Sequence, residues 1–567
     1  MKLVIVGGVA GGMSAATRAR RLSETAEIVV FEGGNYVSFA NCGLPYHVAG
    51  EIADRDALIL HTPETLAARA NLDVRLGWTV TSVDAAAKTV TALGPDGSTV
   101  VESYDALLLS PGALSVVPPL PGIDHPAIHT LRTIDEMDAL MSTVDSAMAA
   151  SSLAGRKAKA IVLGAGFIGL EGAEALIHRG LEVTVVEASP HVLPPLDKDL
   201  AGYVSGALRE RGATVLEGVA ISSFAEGDAA SGCALRATLS DGSVLDADFV
   251  LMSVGAKPNN ALAVDLGLDM DERGNILVDA SQRTSIEDIY AVGDAVAVSF
   301  ADGRHGAVQL AGPANRQGRR AADVIFGHAP VAVKPVLATA VVRVFDQVAA
   351  ITGAGRRTLD AAGVDYETVR IHAGSHAGYY PGAETMHLMA FFDRASGKLL
   401  GAAGVGADGV DKRIDVLATA IRAGFGAEDL AELELCYSPP IGSAKDPINM
   451  LGFTAMNVLS GLSPQWQPEE LAGLLERGAF IVDARMPGAF AKGHIPRAIN
   501  IPMEDVRAGI EEIRAQAAAR GAGTADNPIY VHCTTGVRSY LTVRTLLQAG
   551  LEARNLAGGY TSLKPYL

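Results

Sequence analysis

"KAIVLGAGFIGLEGAEALIHRGLEVTVVE", at Lys159–Glu187, has the residue order expected for a strand, a tight glycine turn, a helix and a second strand. In such a turn, backbone N–H groups at the helix N-terminus can approach a pyrophosphate because no side chain obstructs them. We therefore predict a dinucleotide site here, with a simple packing turn as the alternative. The residues expected to line it are Gly164, Gly166, Phe167, Ile168 and Gly169.

An acidic residue ends the second strand of this unit. Glu187 lies about 20 residues after the turn, where a carboxylate can accept hydrogen bonds from ribose hydroxyls. It would repel a 2′-phosphate, so it favours NAD(H) over NADP(H). The alternative interpretation of Glu187 is an ordinary solvated strand end.

The start of the chain, "KLVIVGGVAGGMSAATRARRL" at Lys2–Leu22, has a related pattern. The middle glycine position is occupied by Val9, so the strict glycine spacing is broken, and a tight turn without a ligand is the alternative. We predict a second nucleotide site formed by Gly7, Gly8, Ala10, Gly11, Gly12 and the strand-ending Glu32.

Composition limits the class of protein. The chain has 567 residues, which predicts several domains, and 49% of them are hydrophobic, which suits compact cores. The net charge of −18 disfavours nucleic acid as a partner. The four cysteines, Cys42, Cys233, Cys436 and Cys533, are widely spaced without a zinc pattern, so we expect reduced thiols and no metal site.

The apolar residues at the start of the chain lead directly into a glycine turn. We interpret them as a buried strand and not as a signal peptide. No uncharged apolar run of about 18 residues occurs, so we expect no transmembrane helix and no membrane partner. The predicted location is cytoplasmic.

Two further segments complete the nucleotide-binding pattern. "TSIEDIYAVGDAV" (284–296) places Asp294 after a short strand, and "ALLLSPGA" (106–113) places Gly112 where a strand leaves the first domain. Together with the two loops, they resemble the pyridine nucleotide–disulfide oxidoreductases over about residues 1–450. The resemblance implies FAD on the first loop, with Gly112 and Asp294 near it, and NAD(H) on the second.

"SFANCGLPY", at Ser38–Tyr46, contains a single cysteine, Cys42, before a probable helix. A thiol pKa falls at a helix N-terminus or beside positive charge, so we predict a reactive thiol, with an inert buried cysteine as the alternative. Family members with paired cysteines have the second one five residues on, where this chain has His47. Cys42 is therefore expected to act as a mixed disulfide, a persulfide or a sulfenic acid.

The same motif resembles the coenzyme A–disulfide reductase branch of this family. That resemblance implies coenzyme A as bound substrate or cofactor. Arg18 and Arg21 are spaced i, i+3 and predict a cationic spot for phosphates, with a solvated helix face as the alternative. The implied coenzyme A contacts are Ser14, Arg18, Arg21, Ser38, Asn41 and Lys445.

"SHAGYYPGAETMHL" (375–388) and "ELCYSPPIGSAKDPINMLG" (434–452) also resemble this branch. In it, two tyrosines of the partner subunit reach the active-site sulfur, which implies a homodimer with a shared active site. The matching residues are Tyr437 and either Tyr379 or Tyr380, with aromatic packing in a dimer core as the alternative. For Cys436 we expect a packing role over that of a second reactive thiol.

The end of the chain, about residues 466–567, resembles a rhodanese domain. In "NPIYVHCTTGVRSYLTVRTLLQAGL" (527–551), a strand ends at Cys533 and a helix begins near Ser539. Backbone N–H groups of the loop between them can point at an anion on the cysteine, and Arg538 follows the small residues that leave room for a persulfide. A catalytic domain is predicted, and a degenerate regulatory domain is the alternative.

The predicted fold is α/β, with two Rossmann-like dinucleotide-binding domains, an α+β dimerisation domain and a rhodanese-like α/β domain. Its predicted parts are the FAD domain (1–112 and 255–325), the NAD(H) domain (113–254), the dimerisation domain (326–452), a linker (453–467) and the rhodanese domain (468–567).

The implied function is reduction of a small sulfur substrate by NADH through Cys42. The substrate would be a coenzyme A persulfide, a polysulfide or coenzyme A disulfide, and Cys533 would handle sulfane sulfur. An NADH oxidase or peroxidase, a thiosulfate sulfurtransferase and a slow redox sensor or sulfur carrier remain alternatives.

Overall fold

The computed structural model describes residues 1–228, 231–329 and 332–567. The first part of the chain forms β1 (Lys2–Val6), α1 (Ala10–Leu22), β2 (Glu27–Glu32), α2 (Leu44–Val48), α3 (Pro63–Ala70), β3 (Asp73–Leu76), β4 (Thr79–Asp84), β5 (Thr89–Leu93), β6 (Thr99–Ser103), β7 (Ala106–Leu109) and β8 (Ala113–Ser115). The next part forms β9 (Ile128–His129), α4 (Ile134–Leu153), β10 (Lys159–Leu163), α5 (Phe167–His178), β11 (Glu182–Glu187), α6 (Lys198–Glu210), β12 (Thr214–Glu217), β13 (Ile221–Glu226), β14 (Leu235–Leu239), β15 (Val244–Ala247), β16 (Phe249–Met252), β17 (Ala256–Pro258) and α7 (Ala261–Leu266).

The chain continues with β18 (Ile289–Ala291), β19 (Val298–Ser299), β20 (His305–Gly306), α8 (Ala311–Ile325), β21 (Ala340–Val344), β22 (Gln347–Gly353), α9 (Arg356–Ala361), β23 (Tyr366–Gly374), β24 (Thr385–Asp393), β25 (Leu399–Gly406), α10 (Val410–Ala423), α11 (Ala427–Ala431) and α12 (Pro447–Leu459). It ends with β26 (Gln465–Trp466), α13 (Leu471–Glu476), β27 (Ile481–Asp483), α14 (Pro487–Ala491), β28 (Ile499–Asn500), α15 (Ile510–Ala518), β29 (Ile529–His532), α16 (Val537–Gln548), β30 (Ala553–Leu556) and α17 (Gly559–Leu563).

The chain divides into two compact units, residues 1–189 with 211–336, and residues 190–210 with 337–567. The first unit contains two parallel five-stranded sheets, with the strand orders β18-β7-β1-β2-β3 and β12-β11-β10-β16-β9. Both predicted Rossmann-like sheets are thus confirmed. Leu3, Val4 and Ile5 of β1 are fully buried, which is why the chain begins with an apolar run.

The second unit contains one antiparallel and one parallel sheet. The antiparallel sheet has the order β21-β22-β25-β24-β23, and its core includes residues of α10 and α12. The parallel sheet has the order β26-β30-β29-β27-β28. These sheets agree with the predicted α+β and α/β classes of the last two domains.

The predicted linker at 453–467 differs from the structure. Helix α12 continues to Leu459, and its residues Ala455 and Val458 belong to the buried core. Gly452 allows α12 to lie close to α11, because a Cβ there would be 2.5 Å from the nitrogen of Ala431. The Gly, Ser and Pro residues that indicated a linker come after the end of α12. The last two turns of this helix are therefore helical and not part of a linker.

Residues 190–210 also differ from the predicted boundaries, since they belong to the second unit and not to a nucleotide domain at 113–254. The physical reason is charge pairing, because Asp199 of α6 lies 3.1 Å from Arg370 of β23. Within the described ranges, no helix is long and apolar enough to cross a lipid bilayer.

Candidate functional site

The two glycine loops have the same local geometry. Gly7 and Gly164 both have left-handed backbone angles, with φ of +102° and +96°. A Cβ at Gly12 would be 1.9 Å from the carbonyl oxygen of Gly7, and one at Gly169 would be 2.0 Å from that of Gly164. Glycine is therefore required at the first and last positions of both loops.

The middle position of the loop has no such requirement. Val9 has a φ of −110° and Gly166 a φ of −77°, and both values are open to any residue. A Cβ on Gly166 would meet no atom within 4 Å. The valine in the first loop therefore leaves the backbone geometry of a nucleotide turn intact.

The acids that end β2 and β11 accept hydrogen bonds from the loops. Glu32 and Glu187 each accept one at 2.7 Å from the loop and a second from the residue two positions after the acid. The four donors are the N–H groups of Gly8, Gly34, Ala165 and Ser189. Glu187 is buried and is therefore not an ordinary solvated strand end. Sequence reasoning missed this support of the loops.

Both loops fit a dinucleotide pyrophosphate. Helices α1 and α5 begin at Ala10 and Phe167, directly after the turns. The first turn of a helix offers backbone N–H groups without helical partners, which favours an anion there. Gly11 lies close to another segment, because a Cβ on it would be 2.9 Å from the Ser110 hydroxyl oxygen. These features fit FAD at one loop and NAD(H) at the other.

The segment that carries Cys42 is held against the first loop. The Ser38 N–H donates to the Gly8 carbonyl at 2.8 Å, and the Ala40 N–H donates to the Leu58 carbonyl at 2.8 Å. Cys42 then lies in a short 3-10 turn ahead of α2 and is exposed. The exposure excludes the inert buried cysteine considered above.

The electrostatic surroundings of Cys42 differ from the expectation of a lowered pKa. Although Cys42 is accessible at the surface, protein atoms around it displace part of its hydration, and this desolvation raises the pKa of Cys42. The nearby carboxylates of Glu171 and Asp294 raise that pKa further. The Cys42 sulfur lies 3.6 Å from the Asn41 side-chain oxygen. Desolvation, followed by the two carboxylates, therefore outweighs the backbone hydrogen bond that favours the Cys42 thiolate.

Asp294 lies next to a cation. Its carboxylate is 3.0 Å from the Arg132 guanidinium. Burial nevertheless raises the pKa of Asp294, with Arg132 opposing the shift. The preceding Gly293 donates its N–H to Gln317 at 2.7 Å, and Gly112 has a φ of +69°. The proximity of Gly112 and Asp294 to a flavin stays a prediction.

The coenzyme A contacts predicted on α1 stay predictions, and two of these residues already have partners within the chain. Arg18 forms an ion pair with Asp323 of α8 at 2.6 Å, so its charge is already balanced. Ser14 donates to the Asn315 side chain of the same helix at 2.9 Å. Arg21 is exposed and remains the available cation of the pair.

The second unit pairs two tyrosines on its surface. The hydroxyl oxygens of Tyr379 and Tyr437 are 3.3 Å apart, and the residues are 77% and 49% exposed. The pKa of Tyr379 is raised by this hydrogen bond. Tyr380 instead packs edge-on against His376 at 5.7 Å, so the geometry favours Tyr379 as the partner of Tyr437. Cys436 is exposed in the single chain, and its packing role stays a prediction.

Lys445 is exposed just ahead of α12. The next residue, Asp446, is buried, caps α12 and pairs with Arg413 at 2.9 Å. The backbone beside Lys445 is therefore anchored while its ammonium group faces solvent.

Cys533 lies at the end of β29 and is only 2% exposed. Its sulfur accepts hydrogen bonds from the Gly536 N–H at 3.2 Å and the Ser539 hydroxyl at 3.3 Å. Arg538 is exposed on α16, which begins at Val537, two residues before the predicted start. The loop thus stabilises negative charge on the sulfur, and the Ser539 contribution was missed by sequence reasoning.

A buried ion pair supports the strand next to Cys533. Arg485 donates to both oxygens of Asp483, at 2.9 and 2.6 Å. His532 lies 3.6 Å from the same carboxylate, and burial lowers the pKa of His532 to about 4. Arg485 therefore balances the negative charge of Asp483, and His532 is neutral near pH 7.

Glu51, Glu174 and His178 each offer a possible metal-ligand atom, and these atoms lie within 4.8 Å of one another. His178 and Glu51 already pair at 3.9 Å. Of the residues that the structure describes, this is the only such group, and it does not include Cys42 or Cys533.

Three family models match the chain. Residues 1–318 match the model described as pyridine nucleotide-disulphide oxidoreductase. Residues 339–446 match the dimerisation domain of that family, and residues 467–565 match the rhodanese-like domain.

The chain is also similar to proteins of known activity or structure. It is 33% identical over 459 residues to the coenzyme A disulfide reductase of Staphylococcus epidermidis, which covers 80% of this chain and 99% of that protein. The reduced CoADR-RHD of Bacillus anthracis is 39% identical with a TM-score of 0.93, and the match covers 100% of this chain and 98% of that one. A NAD-dependent persulfide reductase from A. fulgidus is 35% identical with a TM-score of 0.89, over 99% and 100% of the two chains.

Proposed function

Because the chain belongs to the pyridine nucleotide-disulphide oxidoreductase family, we propose that it is a flavoprotein that uses NADH to reduce persulfides or disulfides of coenzyme A. One observation carries this proposal. An exposed thiol, Cys42, is held against the first nucleotide loop, and a second thiol, Cys533, lies in a rhodanese-like loop of the same chain. Relatives with a coenzyme A disulfide or persulfide activity support the substrate class.

We propose that the first loop binds FAD through Gly7, Gly12 and Glu32, and that the second binds NADH through Gly164, Gly169 and Glu187. Bound flavin supplies the two-electron chemistry that connects a nicotinamide to a sulfur–sulfur bond. The chain supplies the loop geometry at each site and the thiol that receives the substrate.

Cys42 is the proposed nucleophile. Its thiolate attacks the coenzyme A sulfur of a persulfide or disulfide, which forms a mixed disulfide with coenzyme A and releases sulfide or coenzyme A thiolate. Two electrons, originally from NADH, then break the mixed disulfide and restore the Cys42 thiolate and a coenzyme A thiol. We assign the handling of sulfane sulfur to Cys533. Its sulfur accepts two hydrogen bonds and would hold a sulfane sulfur atom before reduction.

The matched dimerisation domain supports a homodimer. In that homodimer, we propose that Tyr379 and Tyr437 of one subunit act at Cys42 of the other, where a hydroxyl can protonate the leaving thiolate. Every cysteine of the chain is a free thiol, which supports a reducing, cytoplasmic location.

The test is anaerobic NADH oxidation by the purified holoenzyme. The acceptors are coenzyme A persulfide, coenzyme A disulfide or none, and air is then admitted. Sulfide release with fastest turnover on the persulfide is the expected result. Fast NADH oxidation only in air would contradict the proposal and favour a water- or peroxide-forming oxidase with a sulfenic acid at Cys42.

Two variants separate the thiols. Cys42→Ser should abolish reduction of every sulfur acceptor, with the flavin retained, because the nucleophile is lost. Cys533→Ser should leave reduction of coenzyme A disulfide within about twofold of wild type, since rhodanese chemistry is not needed there, and should lower turnover on sulfane donors about tenfold or more. Equal losses in both variants on all acceptors would contradict the division of roles.

A further inference from the structure

Two histidines of the antiparallel sheet form a hydrogen-bonded pair in the second unit. His372 of β23 and His387 of β24 lie opposite each other in the strand register. Their Nδ1 atoms are 2.7 Å apart, and their rings meet edge-on at 4.8 Å. His387 also stacks on Tyr203 of α6 at 3.9 Å, which fixes the plane of its ring. We call His372 and His387 the histidine pair.

The other ring nitrogen of His372 reaches the rhodanese-like domain. His372 Nε2 lies 2.9 Å from the Gly558 carbonyl oxygen and 3.1 Å from the Ser562 hydroxyl. Because a carbonyl only accepts, Nε2 carries the hydrogen, and a neutral His372 must then accept at Nδ1 from His387 Nδ1–H. Burial lowers the pKa of His372 to about 4 and that of His387 to about 3, so both rings are neutral near pH 7.

Gly558 begins a turn that lies against the cysteine loop, residues 533–539. Gly558 and Gly559 both have left-handed backbone angles, with φ of +69° and +63°. A Cβ on Gly559 would be 2.7 Å from both the Cys533 carbonyl oxygen and the Gly536 nitrogen. The following Tyr560 donates its N–H to the Cys533 carbonyl at 2.8 Å. This glycine turn therefore sets the backbone position of the cysteine loop.

We propose that His372 is a positioning residue for sulfur transfer at Cys533, acting through the Gly558 carbonyl and the glycine turn. His387 holds His372 in the tautomer that donates from Nε2. The loop in turn directs the Gly536 N–H and the Ser539 hydroxyl at the sulfur, so a shift of the turn changes both donors. This inference rests on the sulfane-handling role proposed for the rhodanese-like domain.

The test compares His372→Leu with His372→Gln in the full-length holoenzyme. Leucine removes the donor to Gly558, whereas the glutamine amide can donate from about the position of Nε2. One readout is sulfur transfer from thiosulfate to cyanide. The other is the pH dependence of Cys533 alkylation by iodoacetamide, followed by mass spectrometry of its peptide.

His372→Leu should lower kcat of sulfur transfer about tenfold with KM for thiosulfate nearly unchanged, as expected when one directing hydrogen bond is lost. It should also shift the pH midpoint of Cys533 alkylation. His372→Gln should keep kcat within about threefold of wild type and keep the alkylation profile. NADH-dependent reduction of coenzyme A disulfide should be unchanged in both variants, because it uses Cys42.

Tyr366→Phe is the matched control, since it removes a hydrogen bond to Asp360 from the same strand without touching Gly558. A His372→Leu protein with wild-type kcat and alkylation profile would overturn the inference. So would a variant with lower thermal stability but an unchanged alkylation profile, because its role would be purely structural. If wild type and Cys533→Ser both transfer no sulfur, the proposed role of the domain fails, and the alkylation comparison alone decides the role of His372.

Discussion

At the scale of single residues, the ionisation of Cys42 depends on two carboxylates. Desolvation is the largest cause of the raised pKa of this thiol, and Glu171 and Asp294 raise it further. Glu171 also accepts a hydrogen bond from the Tyr46 hydroxyl at 3.0 Å, so it has a defined position on α5. A raised pKa keeps a larger fraction of a thiol protonated, and a protonated thiol is oxidised more slowly than a thiolate.

Glu171→Gln should lower the pKa of Cys42, because a nearby negative charge disfavours the thiolate. Alkylation of Cys42 at pH 7 should then be several times faster, measured on its peptide by mass spectrometry across a pH series. The amide oxygen can still accept from Tyr46. Glu182→Gln is the control, since this exposed residue at the start of β11 pairs only loosely with Lys159, at 4.0 Å. An unchanged pH midpoint in Glu171→Gln would remove this carboxylate from control of the thiol.

Sequence patterns predicted the residues of short-range features and missed those of long-range ones. The glycine loops and Glu187 were identifiable because strand, turn and acid follow one another at fixed spacing. The pKa of Cys42 is raised and not lowered, because desolvation by packed protein atoms and the sequence-distant Glu171 and Asp294 leave no local pattern.

At the scale of elements, strand β23 is the edge of its sheet and contacts residues of the rhodanese-like domain. Alternate residues of a strand share one face, and Thr368, Arg370 and His372 all contact that domain. The Thr368 carbonyl accepts from Gln467 at 3.1 Å, and His372 contacts Gly558 at 2.9 Å. The Gln467 contact occupies a backbone acceptor of the edge strand, which hinders pairing with another strand there.

The histidine pair predicts a pH dependence of stability. Unfolded histidines take up protons near pH 6.5, whereas the folded pKa of His372 is about 4 and that of His387 about 3. The unfolded state therefore binds protons first, and folding stability falls as pH decreases from about 6.5 towards 4. At pH 5 the loss is about 2 kcal/mol for each histidine.

His387→Asn should weaken this dependence, because the asparagine amide can donate to His372 Nδ1 but does not titrate. The measurement is the midpoint of thermal unfolding between about pH 5 and 7. Replacing the exposed His328 by Asn is the control and should leave the wild-type slope. Parallel curves for His387→Asn and wild type would contradict a neutral buried pair.

Element types were more predictable than element ends. The strand–turn–helix units were correct because their apolar runs and glycines are local signals. The end of α12 was not, because Ala455 and Val458 are held in a core that includes distant strands, while the Gly and Ser residues after them suggested an earlier end. Tertiary packing extended the helix beyond what local composition indicated.

At the scale of the whole molecule, a cluster of charges joins three parts of the second unit. Arg370 is buried, lies 3.1 Å from Asp199 and 2.6 Å from Glu469, and also contacts Gln467. Burial raises the pKa of Glu469, but Arg370 and Arg356 outweigh it and hold that pKa below its usual value. The members of the cluster are Asp197, Asp199, Arg356, Arg370 and Glu469.

Glu469→Gln should destabilise the second unit by on the order of 2 kcal/mol, because it removes the charge-assisted hydrogen bond from Arg370 and the ion pair with Arg356. Trp466 is fully buried three residues before Glu469, so its fluorescence during urea unfolding reports on this region. Glu476→Gln, at the exposed end of α13, is the control. Equal unfolding midpoints for the two variants would show that the cluster contributes little to stability.

The order of the domains could be predicted from the sequence, because each of them carries its own local motif. The membership of residues 190–210 in the second unit could not. That assignment depends on ion pairs such as Asp199 with Arg370. The two residues of this pair are far apart in the sequence and leave no local pattern.

The burial of Cys533 has a consequence for the lifetime of the sulfur it would carry. At 2% exposure, a sulfane sulfur atom on this thiol would be shielded from the small thiols of a reducing compartment, whereas one on exposed Cys42 would be open to them. A persulfide on Cys533 would therefore have a longer lifetime in the presence of small thiols than a persulfide on Cys42. A persulfide prepared on the Cys42→Ser protein should outlast, in glutathione, one prepared on Cys533→Ser.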